Sequence, residues 1–263
     1  MLDVILPIYN TPDIEDRCIR YLLTPGGMPE GARLIVVDDC SPNPETFLKW
    51  GSVLDVLGHR AVRRTGNGGC HAAWNTGIRE ARHGADIALI GSDVVVPPGA
   101  LRRLHELTTA LDVDLVGARD ASAETWDPEH ALGPLIAANA NDMVDAEFEG
   151  CITSCCVIRA GALERVGLFD EQFRITFGDS DWNQRARDAG CQLVTVNNVV
   201  VFHGKSVTRK RLGVDFDLEV DMADHHRFLE KWKDRPDVTA QHPLSEVDIT
   251  RLSKAYCWEE GES

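Results

Sequence analysis

No stretch of this 263-residue chain is apolar for long enough to cross a bilayer. Its apolar runs, such as Leu34 to Val37, Ile87 to Ile90 and Val199 to Phe202, are a few residues long, against the roughly 20 that a spanning helix needs. No membrane span is expected. The N-terminus passes at once into the strand-like Asp3-Val-Ile-Leu-Pro-Ile-Tyr9, which leaves no room for a signal peptide, so the expected location is cytoplasmic. Basic charge is scarce: 27 Lys and Arg against 42 Asp and Glu give a net charge of −15. A polyanion would be repelled, which argues against broad binding to nucleic acid or to an anionic membrane. The eight cysteines are scattered through an otherwise intracellular-looking chain and read as buried thiols rather than a disulfide framework. Their one cluster, Cys151 with Cys155 and Cys156, lacks a second Cys/His group at zinc spacing. Internal repeats are absent as well.

What is present suffices for a core of ordinary size: 43% of residues are hydrophobic and 26% charged, which fits one large domain or one domain with an appendage. The first half alternates β-branched runs with amphipathic segments, the pattern of βαβ units and a mostly parallel sheet. After the first strand, Thr11 is placed to cap a helix that opens on Pro12 and buries Ile14, Cys18 and Leu22. Strands are expected at Leu34 to Val37, Arg60 to Arg64 and Ile87 to Ile90, and helices at His71 to Arg82 and from Pro97-Pro98 through Leu101, Leu104, Leu107 and Leu111. From about Arg119 to Gly150 the periodicity dissolves, which reads as a loop region near the site. Regularity returns with a strand at Ser154 to Arg159, helices at Ala160 to Val166 and Asp179 to Ala189, and two strands around Val194 and Val201. Beyond His203 come a basic loop, Lys205 to Arg211, a helix around Leu218 to Lys233, and a polar tail.

Several constellations could carry chemistry. Asp38 and Asp39 close an apolar strand, and in open α/β sheets ligands gather at strand carboxyl ends. One carboxylate there can accept the N3 proton of a uracil or thymine ring while the other holds the following turn, the alternative being two turn-forming aspartates. Gly66-Asn-Gly-Gly69 before a helix lets the backbone approach a ligand and offers free N–H groups to phosphate or sugar oxygens, unless it is a plain glycine turn. It lacks the P-loop lysine and the dinucleotide spacing, so ATPase and dehydrogenase readings lose support. Asp93 ends an apolar strand at the same expected edge, where hard oxygen ligands suit Mg²⁺ or Mn²⁺ on a diphosphate. His203 ends another, either as a structural histidine or as an imidazole ligand to the same ion, which would favour manganese. In Phe177-Gly-Asp-Ser-Asp-Trp182, Asp179 could cap a helix or remove a proton from an incoming hydroxyl or amine.

Taken in order, these segments resemble the inverting glycosyltransferase family 2, over about residues 1 to 205. Val4-Ile-Leu-Pro-Ile-Tyr-Asn10 is similar to the family's opening strand, and Val36-Val-Asp-Asp-Cys-Ser41 to its nucleotide-reading aspartate pair. Asn67-Gly-Gly-Cys-His-Ala-Ala-Trp-Asn-Thr-Gly77 resembles its N-x-G…N-x-G helix start, and Ser92-Asp-Val-Val-Val-Pro-Pro-Gly-Ala-Leu101 its metal-binding segment. Val166-Gly-Leu-Phe-Asp-Glu171 with Phe177-Gly-Asp-Ser-Asp-Trp-Asn-Gln-Arg185 resembles its acceptor-side block. The resemblance implies an α/β GT-A fold, a Rossmann-like mixed sheet flanked by helices, with a C-terminal helical extension. It implies a donor half at about 1–118, an acceptor half at about 119–205, and a basic lid loop, helix and polar tail at 206–263. By the same resemblance Pro7, Tyr9, Asp39, Asn67, Gly69 and Ser92 would meet the nucleotide, Asp93 and His203 the metal, and Asp179 would be the catalytic base. Asp181, Trp182, Lys205 and Arg209 are candidates for the acceptor side or the lid.

Two positions depart from the family pattern. Gly91 stands where the first acid of D-x-D is usual, and Gly178 where a glutamate usually precedes the base. The implied reaction is transfer of a sugar from a UDP-sugar, or a dTDP-sugar, to a hydroxyl or amine, assisted by Mn²⁺ or Mg²⁺. The acceptor, whether glycan, small natural product or carrier-tethered molecule, is not legible. Two rivals stand beside this reading. A nucleotidyltransferase would need basic residues in the first strand-to-helix loop, and Asn10-Thr-Pro-Asp13 has none; a silent sugar-nucleotide-binding protein would share the fold without the turnover.

Overall fold

A computed structural model describes residues 1–122, 133, 135–136, 139, 144–147, 152, 154–204 and 214–242. In chain order these form β1 (Leu2–Ile8), α1 (Pro12–Leu23), β2 (Arg33–Asp38), α2 (Glu45–Val56), β3 (Arg60–Arg63), α3 (Cys70–Glu80), β4 (Asp86–Ile90), β5 (Val94–Val95) and α4 (Ala100–Ala110). They continue as β6 (Leu115–Ser122), β7 (Ala146–Glu147), β8 (Cys155–Ile158), α5 (Ala160–Val166), α6 (Gly178–Asp188), β9 (Leu193–His203), α7 (Val214–Lys231) and α8 (Pro236–Thr239). The strands make one sheet in the order β3-β2-β1-β4-β8-β6-β9-β5, with β7 added beside β9. Among the described residues no helix is long and apolar enough to cross a membrane.

The two-residue period of a strand divides the core into two layers. Val4, Leu6 and Ile8 of β1, with Leu34 and Val36 of β2, face α1 and α4 and their buried Ile14, Cys18, Leu22, Leu101 and Leu104. Ile5, Ile35 and Val37 face the other way, onto Ala73 and Trp74 of α3 and toward Trp182 and Ala186 of α6. The Asn75-x-Gly77 motif belongs to this second layer. A Cβ on Gly77 would lie 2.3 Å from Ile5 Cγ2, so the glycine lets α3 sit close on β1. Asn75 donates to the Phe169 carbonyl and accepts the Phe169 N–H, both at 2.9 Å, which ties α3 to the segment leading toward α6.

Four differences from the sequence reading have local causes. Thr11 makes no side-chain cap; instead Glu15 reaches back to the Thr11 N–H at 2.9 Å and accepts Thr46 Oγ1 at 2.5 Å, joining α1 to α2. Helix α2 itself was not expected. The strand β6 was also not expected, because it turns polar at Arg119-Asp120 after four small or apolar residues. The two strands expected around Val194 and Val201 are one, β9, whose register against β6 jumps from Ala118↔Val196 to Arg119↔Val200. The surplus residues Asn197 to Val199 form the irregularity, and Asn139 holds its exit by accepting the Val200 N–H at 2.7 Å.

Gly77→Ala should overpack the contact between α3 and β1 and lower stability by about 1 to 3 kcal/mol. A shift in the urea midpoint at unchanged slope is the measurement; an unshifted midpoint would show that the layer has slack.

Candidate active site

Strand directions decide where chemistry can gather. β1 runs parallel to β2 and β4, β2 to β3, and β6 to β9, while β8 is antiparallel to both β4 and β6. The two reversals cancel, so the C-terminal ends of β1, β2, β3, β4, β6 and β9 share one edge. Asp39 follows β2, Arg64 follows β3, Asp93 lies just past β4, Asp120 is near the end of β6, and His203 closes β9.

At the end of β2 the two aspartates divide their work. Asp38, wholly buried, accepts the Ser41 N–H at 2.9 Å and pairs with Arg63, so it holds the turn. Asp39 receives the N–H groups of Gly68 at 3.1 and 3.2 Å and Gly69 at 2.7 Å, together with the Arg64 guanidinium. Burial nonetheless pushes its carboxyl pKa up. This corrects the expectation of free N–H groups at the start of α3. Those of Gly68 and Gly69 go to Asp39, and that of Cys70 to the Arg174 carbonyl at 2.9 Å, because the turn folds back on the nearest acceptors. Asn67 bridges the same elements, donating to the Asp39 carbonyl at 3.3 Å and accepting from Arg174 at 2.6 Å. Pro7 is buried in β1 opposite Val37, with Tyr9 half-buried just beyond the strand.

At the ends of β4, β6 and β9 a polar cluster surrounds one imidazole. His203 Nε2 lies 3.3 Å from Asp93 Oδ1, and His203 Nδ1 lies 2.9 Å from Asp120 Oδ2. Ser154 donates its hydroxyl to Asp120 from the start of β8. Burial pulls the imidazole pKa down, but the hydrogen bonds with Asp120 and Asp93 outweigh it and raise it to about 9. Asp120 escaped the sequence reading; the polar end of an otherwise apolar strand was its one signal. With Gly91 in place of an acid, the second carboxylate of this cluster comes from β6. Ser92 is half-buried beside Asp93. Among the described residues no three His, Cys, Asp or Glu side chains are placed to hold a metal ion.

Asp179 sits in the first turn of α6, half-buried, with its carboxylate on the Ser180 N–H at 2.8 Å. The preceding Gly178 has a packing reason: a Cβ there would lie 2.6 Å from the His71 ring, which fills the space a glutamate would need. His71 is itself buried, bound to the Phe173 carbonyl at 3.0 Å, and burial lowers its pKa. Two expectations fail here. Asp181 and Trp182 are wholly buried and cannot meet an acceptor. Asp181 is held by Arg185 at 2.9 Å, Lys231 at 2.7 Å and Trp232 at 3.2 Å, while Trp182 donates to the Gly167 carbonyl at 2.9 Å. A helix turns about 100° per residue, so the side chain two positions on faces the interior. Lys205 and Arg209, the expected lid residues, lie outside the described residues.

Solved structures of similar shape are glycosyltransferases of the GT-A fold. A mannosyltransferase from Pyrobaculum calidifontis, solved with GDP-Man and Mn²⁺, superposes at a TM-score of 0.65 with 16% identity, covering 100% of this chain and 76% of that one. S. aureus TarS residues 1–349, solved with UDP, gives a TM-score of 0.56 at 15% identity, covering 87% of this chain and 65% of that one. The chain belongs to glycosyl transferase family 2, whose model matches residues 3–167. Curated relatives include glycosyltransferase AglE of Haloferax volcanii, 26% identical over 211 residues, 77% of this chain and 66% of that protein. The uncharacterized glycosyltransferase EpsJ of Bacillus subtilis is 30% identical over 122 residues, 44% of this chain and 33% of that protein. This chain thus spans somewhat under two thirds of the first relative and a third of the second.

The two carboxylates of α6 should separate in stability. Asp181→Ala removes the counter-charge of a buried network and should cost about 3 to 5 kcal/mol, whereas Asp179→Asn should stay within about 0.5 kcal/mol. Urea unfolding of the two variants is the measurement, and equal losses would place both carboxylates in structural roles.

Proposed function

We propose that this chain is an inverting glycosyltransferase that moves a sugar from a nucleoside-diphosphate donor, UDP-linked by preference, to a hydroxyl or amine. The observation that carries the reading is the gathering of Asp39, the Asp93–His203 pair and the start of the Asp179 helix around one sheet edge in a family 2 chain. Asp39 has about four acceptor directions when ionised; Gly68, Gly69 and Arg64 make four contacts to it, so a base N–H would take the place of one of these donors. The solved neighbours hold different bases, so preference for uracil rests on Asp39 alone.

A divalent ion fits the Asp93–His203 pair. Asp93 Oδ1 and His203 Nε2, 3.3 Å apart, would supply it with one hard oxygen and one imidazole nitrogen. Holding an ion, the ring would give up its Nε2 proton and keep the one on Nδ1, facing Asp120, and that outer carboxylate would fix its orientation. Mn²⁺ or Mg²⁺ bound there would neutralise charge developing on the departing diphosphate. Asp179 would take the proton of the acceptor as its oxygen or nitrogen attacks the anomeric carbon from the opposite face, which gives inversion. No basic residue lies between Asn10 and Asp13 to meet a triphosphate, so the nucleotidyl-transfer alternative gains nothing.

Ligand-dependent stabilisation tests the donor and the metal together. A nucleoside diphosphate at a hundredfold excess over its dissociation constant should add about 2.7 kcal/mol, most with UDP and Mn²⁺. Asp93→Ala and His203→Ala should remain folded and lose the Mn²⁺-dependent part, and Asp120→Ala should weaken Mn²⁺ binding by about 10- to 100-fold. Equal stabilisation in EDTA would refute the metal reading. Asp179→Asn should keep donor affinity and lose about 10²- to 10⁴-fold in turnover; near-normal turnover would remove it as the base.

A further inference from the structure

We propose that Asp224 of α7 is a positioning residue for Asp179, which makes the C-terminal helix part of the catalytic centre rather than an appendage to it. The proposal rests on Asp179 being the base. It starts from a carboxylate that is wholly buried on a helix beyond the family-matched residues. Asp224 Oδ2 accepts three consecutive backbone N–H groups, from Arg174 at 3.0 Å, Ile175 at 2.9 Å and Thr176 at 3.1 Å. Its Oδ1 takes Arg227 at 3.0 Å. Burying an ionised carboxylate is costly unless such donors replace water, and here the backbone donors all belong to the strip that runs into Asp179.

The next residue on that strip shows what the grip is for. Phe177 has φ +61°, a left-handed conformation in a residue with a bulky side chain. That conformation costs about 1 to 2 kcal/mol, and it turns the chain into the first turn of α6. Helix α7 holds this residue from both sides of its Cα: Asp224 fixes the backbone before it, and His225 stacks on its ring with centroids 4.5 Å apart and planes 9° apart. Phe228 adds a further ring contact at 5.3 Å. From the opposite side the Arg174 carbonyl receives the Cys70 N–H at 2.9 Å. The strip is therefore pinned between α7 and the glycine turn, and Asp179 is placed by where the strip ends. Helix α7 does not depend on Asp224 for its own docking, since Lys231 and Trp232 bind Asp181 and Phe228 packs with Phe173 and Val238.

The test combines backbone hydrogen exchange with donor turnover on the full chain, following nucleoside diphosphate release from UDP-GlcNAc, UDP-glucose and GDP-mannose with water as acceptor. In Asp224→Ala the amides of residues 174–176 should lose protection, and kcat should fall by about 10- to 100-fold at unchanged donor KM. Asp224→Asn should restore both, because one amide oxygen can replace Oδ2 as the shared acceptor. His225→Ala, which leaves the backbone bonds intact, should lower kcat less and KM not at all, and it carries the test if Asp224→Ala fails to fold. Wild-type kcat in Asp224→Ala, no rescue by Asp224→Asn, a rise in KM alone, or full kcat in His225→Ala beside an unfolded Asp224→Ala would each overturn the proposal while Asp179→Asn remains inactive. Undiminished turnover in Asp179→Asn, or no release by the wild type from any of the three donors, would instead overturn the reading on which it rests.

Discussion

Where Gly69 meets the carbonyl of Arg174 there is room for a hydrogen atom and nothing larger: a Cβ would lie 1.9 Å from the oxygen, and the residue's φ of +86° favours glycine independently. Three parts of the molecule depend on that contact. The turn before α3 can close onto Asp39, the Cys70 N–H can reach Arg174, and the strip from Arg174 to Phe177 can lie beside the turn. The β2 end and the α6 start, 140 residues apart between Asp39 and Asp179, are thereby built against a common piece of backbone. A side chain at this one position would push the two apart.

The charge balance is handled locally. A chain at −15 that receives a nucleoside diphosphate, as the proposed function requires, faces repulsion unless its carboxylates are neutralised near the site. Three buried ones on this side are paired: Asp38 with Arg63, Asp39 with Arg64, and Asp181 with Arg185 and Lys231. Asp93 and Asp120 have a different partner, an imidazole shared between them. They are thus the described acidic groups at the edge whose partner can change protonation, which suits the proposed cation site.

How much of this was legible follows from which signals a sequence carries. The placement of Asp39, Asp93 and His203 was legible because each ends an apolar run, and strand direction then brings those ends to one edge. Asp120 was missed because its own half of β6 is polar and its partner β9 contains an irregularity, so neither alternation nor burial marked it. The glycine turn was recognised but its N–H groups were assigned to a ligand; spacing shows that a turn can offer donors, not which acceptor it folds against. Asp224 had no signal at all. It is one acid among several on a polar helix, and its importance lies in contacts with residues about 50 positions earlier in the chain.

The departure at Gly178 shows how the two sides of the site constrain each other. A glutamate there would need the volume that the His71 ring occupies, and His71 cannot move aside cheaply because its Nδ1 is bound to the Phe173 carbonyl and its ring packs at 5.5 Å against Trp74 and 5.8 Å against Phe169. Restoring the acid without shrinking position 71 would therefore strain both α3 and the start of α6. The neighbourhood of Asp179 is consequently one in which a neutral, buried imidazole stands where a second carboxylate would otherwise be. What the glycine allows is close packing of α3 against the start of α6, and that packing is anchored by the same strip that Asp224 holds from the far side.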